Sequence, residues 1–171
     1  MKVMIPFKGL SQYDQKIDSR LQGSACGPVT AAAILNFHDH RENEVNGFYQ
    51  ILGATAVGLF TWRMVRNFKK LGSRRYIASK VKSIEKVKAE LLAGRPVAMK
   101  FDRYFSFRWF SNPLFNYHWV PLIGFEEQGS DLILYFHDNG KRNRPSKVQT
   151  VSYFPNRKLL TFVKIVPKQT D

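Results

Sequence analysis

The chain of 171 residues is long enough to bury a full core as one domain over 1–171, and its 44% hydrophobic and 14% aromatic content excludes intrinsic disorder. A single cysteine excludes an internal disulfide and any multi-thiolate metal site, and no stretch has the length of a membrane span. Lys and Arg outnumber Asp and Glu by 27 to 13, a net +14 that reads first as a solvated basic surface and second as a contact for a polyanion such as nucleic acid, anionic lipid or a cell-wall polymer.

Lys2, Pro6 and Lys8 interrupt the apolar start of the chain and make it a poor signal peptide, so the expected location is cytoplasmic. Val3, Ile5 and Phe7 alternate as in a strand, and a polar segment from Ser11 to Gln15 follows.

The stretch Gln22 to Leu35 organises the rest. Pro28 has a helical φ and no N–H to lose in a first turn, so a helix begins near Ser24 to Gly27 and ends near Phe37 or His38. Val29, Ala32, Ala33, Ile34 and Leu35 make that helix apolar on most sides, which predicts enclosure. Cys26 therefore falls at the positive end of a helix dipole, where a thiolate is favoured over a thiol. His38 and His40 flank Asp39, but side chains two apart on a helix face different ways, so the trio reads as a solvated helix end and not a metal site.

A second helix is expected over Glu42 to Leu52 and a third over Thr61 to Leu71, the latter with a cationic face of Arg63, Arg66, Lys69 and Lys70. Tyr76-Ile77 forms a short strand, and Ser83 caps a fourth helix that ends at Gly94. Val97 to Phe101 is a core strand. Between it and His118, seven of sixteen residues are aromatic, which predicts a packed hairpin or a substrate-facing flap. Strands then follow over Trp119 to Glu126, Leu132 to His137, Lys147 to Phe154 and Leu160 to Val166. Helices first and antiparallel strands second define an α+β fold.

A thiol nucleophile needs a base, a group that orients the base, and donors for an oxyanion. His118 opens an apolar strand, where a ring is held rigidly yet stays accessible. Asp138 ends the next strand, and hairpin pairing of the two brings His118 and Asp138 together. Taken alone, Asp138 also fits an Asx turn before Asn139-Gly140. His137 competes as the base, although it points to the sheet face opposite that of its neighbour. Gln22 offers an amide near the backbone N–H of Cys26, with Gln12 and Gln15 farther upstream as alternatives.

The blocks Cys26-Gly27-Pro28-Val29-Thr30-Ala31-Ala32, Leu92-Ala93-Gly94-Arg95-Pro96-Val97, His118 to Phe125 and Asp138-Asn139-Gly140 together resemble cysteine peptidase family 39. These are the double-glycine, bacteriocin-processing peptidases of the papain superfamily, and the chain is most similar to their stand-alone relatives. The resemblance implies a papain-like fold with the nucleophile on the central helix and the His and Asp on the following sheet. It carries over Cys26 as nucleophile, His118 as base, Asp138 as orienting residue and Gln22 as oxyanion donor, with no cofactor. The family's glutamine generally lies farther from its cysteine than Gln22 does from Cys26.

The combined reading is a thiol hydrolase, a cysteine peptidase acting on a peptide or acyl substrate through an acyl-enzyme. Two alternatives stay open: a transferase that passes the acyl or aminoacyl group to an amine, and a non-catalytic basic module.

Overall fold

The computed structural model describes residues 1–40, 42–71, 75–102 and 117–168. Its elements in chain order are β1 (Lys2–Met4), a 3-10 turn (Gln22–Ser24), α1 (Cys26–Asp39), α2 (Val45–Leu52), α3 (Thr61–Phe68), β2 (Tyr76–Val81) and α4 (Ile84–Leu92). Then come β3 (Val97–Asp102), β4 (Tyr117–Gln128), β5 (Asp131–His137), β6 (Val148–Ser152), α5 (Tyr153–Asn156) and β7 (Leu160–Pro167). Helices dominate the first half and antiparallel strands the second, as the α+β pattern requires. The aromatic segment preceding Tyr117 falls, from 103 to 116, outside the described residues.

All strands join one antiparallel sheet in the order β2-β7-β3-β4-β5-β6, with β1 added to β4. The β4–β5 hairpin is tighter than expected: Gln128 already pairs with Asp131, leaving Gly129-Ser130 as a two-residue turn with Gly129 at φ 56°. The register slips between Leu122 and Gly124, so Leu122 and Phe125 both point into one core although three residues apart. Gly124 itself is required there, because a Cβ would lie 2.3 Å from the Val3 carbonyl oxygen of β1.

Alternation along the strands divides the core in two. Val97, Met99, Phe101, Val120 and Leu122 face α4, packing on Val87 and Leu91. Ala98, Trp119, Val163 and Ile165 face α1 and α3, packing on Ala31, Ile34, Leu35, Met64 and Phe68. The first ten residues of α1 are all buried, in agreement with its near-continuous apolar sequence.

Several local signals act as expected and two do not. Gly53 closes α2 in the left-handed region at φ 72°. Ser83 occupies the N-cap of α4 with extended backbone, but its side chain makes no capping hydrogen bond. The strand expected to run to Phe154 stops at Ser152, where Asn156 donates its amide to the Ser152 carbonyl at 2.9 Å and bends the chain into α5. Among the described residues no helix is long and apolar enough to cross a membrane.

Candidate active site

Cys26 is the first residue of α1, after Ala25 at the N-cap, which offers no side chain to the free amides. Pro28 occupies the third position, where its missing N–H costs nothing. Gly27 is set by packing, since a Cβ would come within 2.6 Å of the Leu59 Cβ. Leu59 is tied to β4 in turn: its carbonyl accepts the Tyr117 hydroxyl and the Trp119 indole N–H, both at 2.7 Å. The start of the helix is thus wedged between β4 and the loop before α3.

The thiol is 5% exposed. Burial pushes its pKa above the ordinary thiol value, and hydrogen bonds from the main chain at Trp119, Gly27 and Cys26, with the charge of Lys100, oppose that shift without overcoming it. The helix start alone favours a thiolate; the observed balance is the reverse, because desolvation outweighs the dipole. The Trp119 amide belongs to the peptide bond joining His118 to Trp119, so the thiol lies against the main chain of His118.

His118 is the second residue of β4, opposite Phe101. Burial lowers its pKa to about 4, and the charge of Asp138 acts in the other direction. Alternation puts the His118 side chain on the sheet face of Val120 and Leu122, and that of Trp119 on the α1 face. Asp138 follows β5 and continues the face of Phe136, the cross-strand partner of Leu122.

Asp138 is 2% exposed and its carboxylate is surrounded by donors. Oδ1 accepts from the Lys147 amide at 2.9 Å, the Gly140 amide at 3.2 Å and Arg144 Nη1 at 3.3 Å, and Oδ2 accepts from Arg144 Nη2 and Gln149 Nε2. The Arg144, Lys147, Gln149 and Gly140 bonds hold its pKa below the usual carboxylate value against the cost of burial. The Gly140 bond is the Asx-type contact expected of a strand-ending aspartate, so the local-turn role and the electrostatic role coexist. His137 is engaged elsewhere: its Nδ1 is 2.9 Å from Ser146 Oγ, and its ring packs 5.8 Å from that of Phe7.

The three glutamines separate clearly. Gln22 donates both N–H bonds of its amide, to the carbonyls of Asp14 and Ile17, each at 3.2 Å. Gln15 is exposed. Gln12 is buried and joined to the helix start: its amide donates to the Gln22 carbonyl at 2.9 Å, and its backbone N–H to the Asn139 carbonyl at 2.9 Å.

Two residues of the site escaped the sequence reading. Asn139, fully buried, donates its amide to the Cys26 carbonyl at 3.1 Å, Thr30 Oγ1 at 3.2 Å and the Trp119 carbonyl at 2.7 Å. Lys100, in the apolar strand β3, buries its ammonium 2.6 Å from Asp102 Oδ2, with the Tyr117 and Trp119 ring centres 5.3 and 5.6 Å away. A lysine inside Val97-Ala98-Met99-Lys100-Phe101 was the available signal for the second. The Asn139-Gly140 pair reads locally as a turn, and nothing in its spacing announces the helix it holds.

Among the described residues no group of three His, Cys, Asp or Glu side chains is placed to hold a metal ion. His38 packs its ring on Phe37 and Tyr76, and Asp39 accepts the Tyr76 hydroxyl.

A buried cysteine at the head of a central helix, packed on an antiparallel sheet that carries the histidine and aspartate, defines the papain-like class of fold. The chain belongs to the Peptidase_C39-like family, whose model matches residues 4–162. It is also similar to the peptidase domain of Streptococcus ComA, a bi-functional ABC transporter involved in a quorum-sensing pathway. That match has a TM-score of 0.59 at 15% identity and covers 95% of this chain and 99% of that domain. No curated protein matches the sequence.

Proposed function

We propose that the protein is a cysteine peptidase in which Cys26 is the nucleophile, His118 the general base and Asp138 the residue that stabilises the imidazolium. The observation that carries this reading is Asn139, next to Asp138, whose buried amide binds both the Cys26 carbonyl and the Trp119 carbonyl and so draws the main chains at Cys26, His118 and Asp138 to one point. Membership of a peptidase family supports it.

Both partners rest uncharged at neutral pH, since burial raises the thiol and lowers the imidazole. The attack is therefore written as general-base catalysis and not as the reaction of a preformed thiolate. As Sγ bonds to the carbonyl carbon of the peptide, its proton passes to His118. The carbonyl oxygen takes the negative charge and is met by the Cys26 amide and the Gln12 side chain. Gln12 replaces Gln22 in this role because both N–H bonds of Gln22 are already used. His118 then protonates the leaving amine as the C–N bond breaks, and water, activated by the same ring, hydrolyses the thioester. His118 and Asp138 share the sheet face of Val120 and Cys26 packs on the face of Trp119, so the proton transfer requires the imidazole to reach Sγ around the end of β4 when substrate is bound.

The test is cleavage of a peptide library followed by mass spectrometry. Wild-type protein should cut and incorporate one oxygen from labelled water, and Cys26→Ala and His118→Ala should not cut. Cleavage that survives Cys26→Ala sinks the assignment, and products bearing an added amine in place of the water oxygen indicate a transferase.

A further inference from the structure

Strand β3 alternates its side chains, so Ala98, Lys100 and Asp102 share the face turned to α1 and α3. Lys100 pairs there with Asp102, the two side chains 7% and 13% exposed. A buried ammonium is costly unless paired, so this ion pair is a built feature and not a chance surface contact. It forms the floor of a cleft of about 580 Å³ between the start of α3 and strands β2 and β3, within the usual range for ligand sites.

The walls of the cleft include Phe60, Trp62, Arg66 and Lys80. Its lining holds three cations, Arg66, Lys80 and Lys100, against the one carboxylate of Asp102. Arg66 stacks its guanidinium 4.7 Å from the Trp62 ring centre, which fixes its direction, and among the described residues neither Arg66 nor Lys80 is in an ion pair. Arg66 and Lys80 are exposed, so their charges are open to an incoming group. Cys26 is not in the lining, but the cleft neighbours the residues that enclose the start of α1: the Lys100 ammonium lies 5.6 Å from the ring centre of Trp119, whose indole binds the Leu59 carbonyl. Leu59, next to Phe60, packs on Gly27, and the Lys100 charge acts on the Cys26 thiol.

We propose that this cleft is a specificity subsite that binds a carboxylate of the peptide substrate beside the scissile bond, through Arg66 and Lys80 over the Lys100–Asp102 floor. The subsite rests on the peptidase reading given above. A planar, stacked guanidinium favours two-point recognition of a carboxylate. The aromatic wall of Phe60 and Trp62 accommodates the apolar part of the same residue. The carboxylate comes either from an Asp or Glu side chain or from a free C-terminus.

The experiment uses matched peptides that differ by Glu or Gln at one position, each as the free acid and as the C-terminal amide. The protein variants are wild type, Arg66→Ala/Lys80→Ala, and Lys69→Ala/Lys70→Ala as a control of equal charge outside the cleft. Wild type should prefer Glu by about ten-fold in kcat/KM, mainly through KM, equivalent to about 1.4 kcal/mol. The Arg66→Ala/Lys80→Ala protein should lose that preference while still cutting the Gln peptide, and the control should keep it. If the free acid and not Glu is preferred, the carboxylate is the C-terminus. A Glu-to-Gln ratio near one together with equal rates for acid and amide, or an equal loss in the control, overturns the subsite. If no peptide is cut, fluorescence anisotropy of the same peptides on Cys26→Ala protein decides separately. Tighter binding of the carboxylate forms that disappears in Arg66→Ala/Lys80→Ala supports the cleft even as the peptidase reading fails, and equal binding overturns it.

Discussion

Asn139 donates its side-chain amide to the Cys26 carbonyl across 113 residues of sequence, and with the same amide reaches the Trp119 carbonyl. One buried group thereby holds the first turn of α1 to β4 and sets the height of the thiol above the sheet. Asn139→Ala leaves the carbonyls of Cys26 and Trp119 and the Thr30 hydroxyl without that donor in a site closed to water. The expected cost is about 2–3 kcal/mol, since each stranded buried acceptor costs roughly 1–3 kcal/mol and neighbouring losses overlap. Urea denaturation should show a lower midpoint at unchanged slope. An unchanged midpoint removes Asn139 from this role.

The thiol is the second point of test. A helix start contributes roughly 0.3–1 kcal/mol toward the thiolate, less than one pKa unit, while full burial is able to shift a group by up to about 3–5 units the other way. Alkylation of Cys26 by iodoacetamide should therefore be slow at neutral pH and keep accelerating as pH rises past about 8.5, the value of an unperturbed thiol. A rate that levels off below pH 7 points to a resting thiolate and reverses the balance.

These two contacts also mark where sequence reasoning reaches its limit. The helix beginning at Cys26 was legible because Pro28 and the apolar run from Val29 to Leu35 are local signals. The pairing of the His118 and Asp138 strands was legible because a hairpin forces it. The state of the thiol was not, because it depends on how closely Leu59 and Trp119 seal it, a property of packing with no periodicity in the chain. The surroundings of the glutamines were not legible for a related reason. Gln22 is nearer in sequence, but a turn between Asp14 and Ile17 absorbs its amide, while Gln12 is brought back by a backbone bond to Asn139.

His118 links the site to acid stability. Its pKa is about 4 in the folded protein and about 6.5 in the unfolded chain, so the unfolded state binds the extra proton first as pH falls. The contribution is fully present above pH 6.5 and is lost progressively down to about pH 4. Its full extent is on the order of 3 kcal/mol, at about 1.4 kcal/mol per pKa unit. Denaturation midpoints measured between pH 7 and pH 4 should fall in wild type more than in His118→Gln. Parallel curves for the two proteins would locate the acid sensitivity in other groups.

Arg144 neutralises the carboxylate that faces the histidine. Removing it in Arg144→Met leaves Asp138 with the Lys147 and Gly140 amides and Gln149 as donors, so its negative charge acts more fully on the imidazole. The His118 pKa should move upward from about 4, and that of Asp138 should rise as well, because its guanidinium partner is gone. NMR titration of the His118 ring protons reads the first shift directly. No movement would show that Arg144 and His118 are electrically independent.

The position of β7 governs how the molecule is assembled. It is the last strand in chain order, yet it lies inside the sheet, with β2 on one side and β3 on the other. Val163 and Ile165, which seal α1 and α3 against the sheet, arrive with it. A ribosome that has released everything up to β6 has therefore produced one sheet, β3 to β6 with β1, and a β2 with no strand beside it, and the face that carries the cysteine still lacks part of its floor. Folding must wait for a contact between segments about ninety residues apart, Tyr76 meeting Pro167, which raises the mean separation of contacts and slows the closing step. Until that strand inserts, the edges of β2 and β3 are available to other chains, and the nascent protein depends on rapid closure or on chaperones to avoid edge-to-edge association.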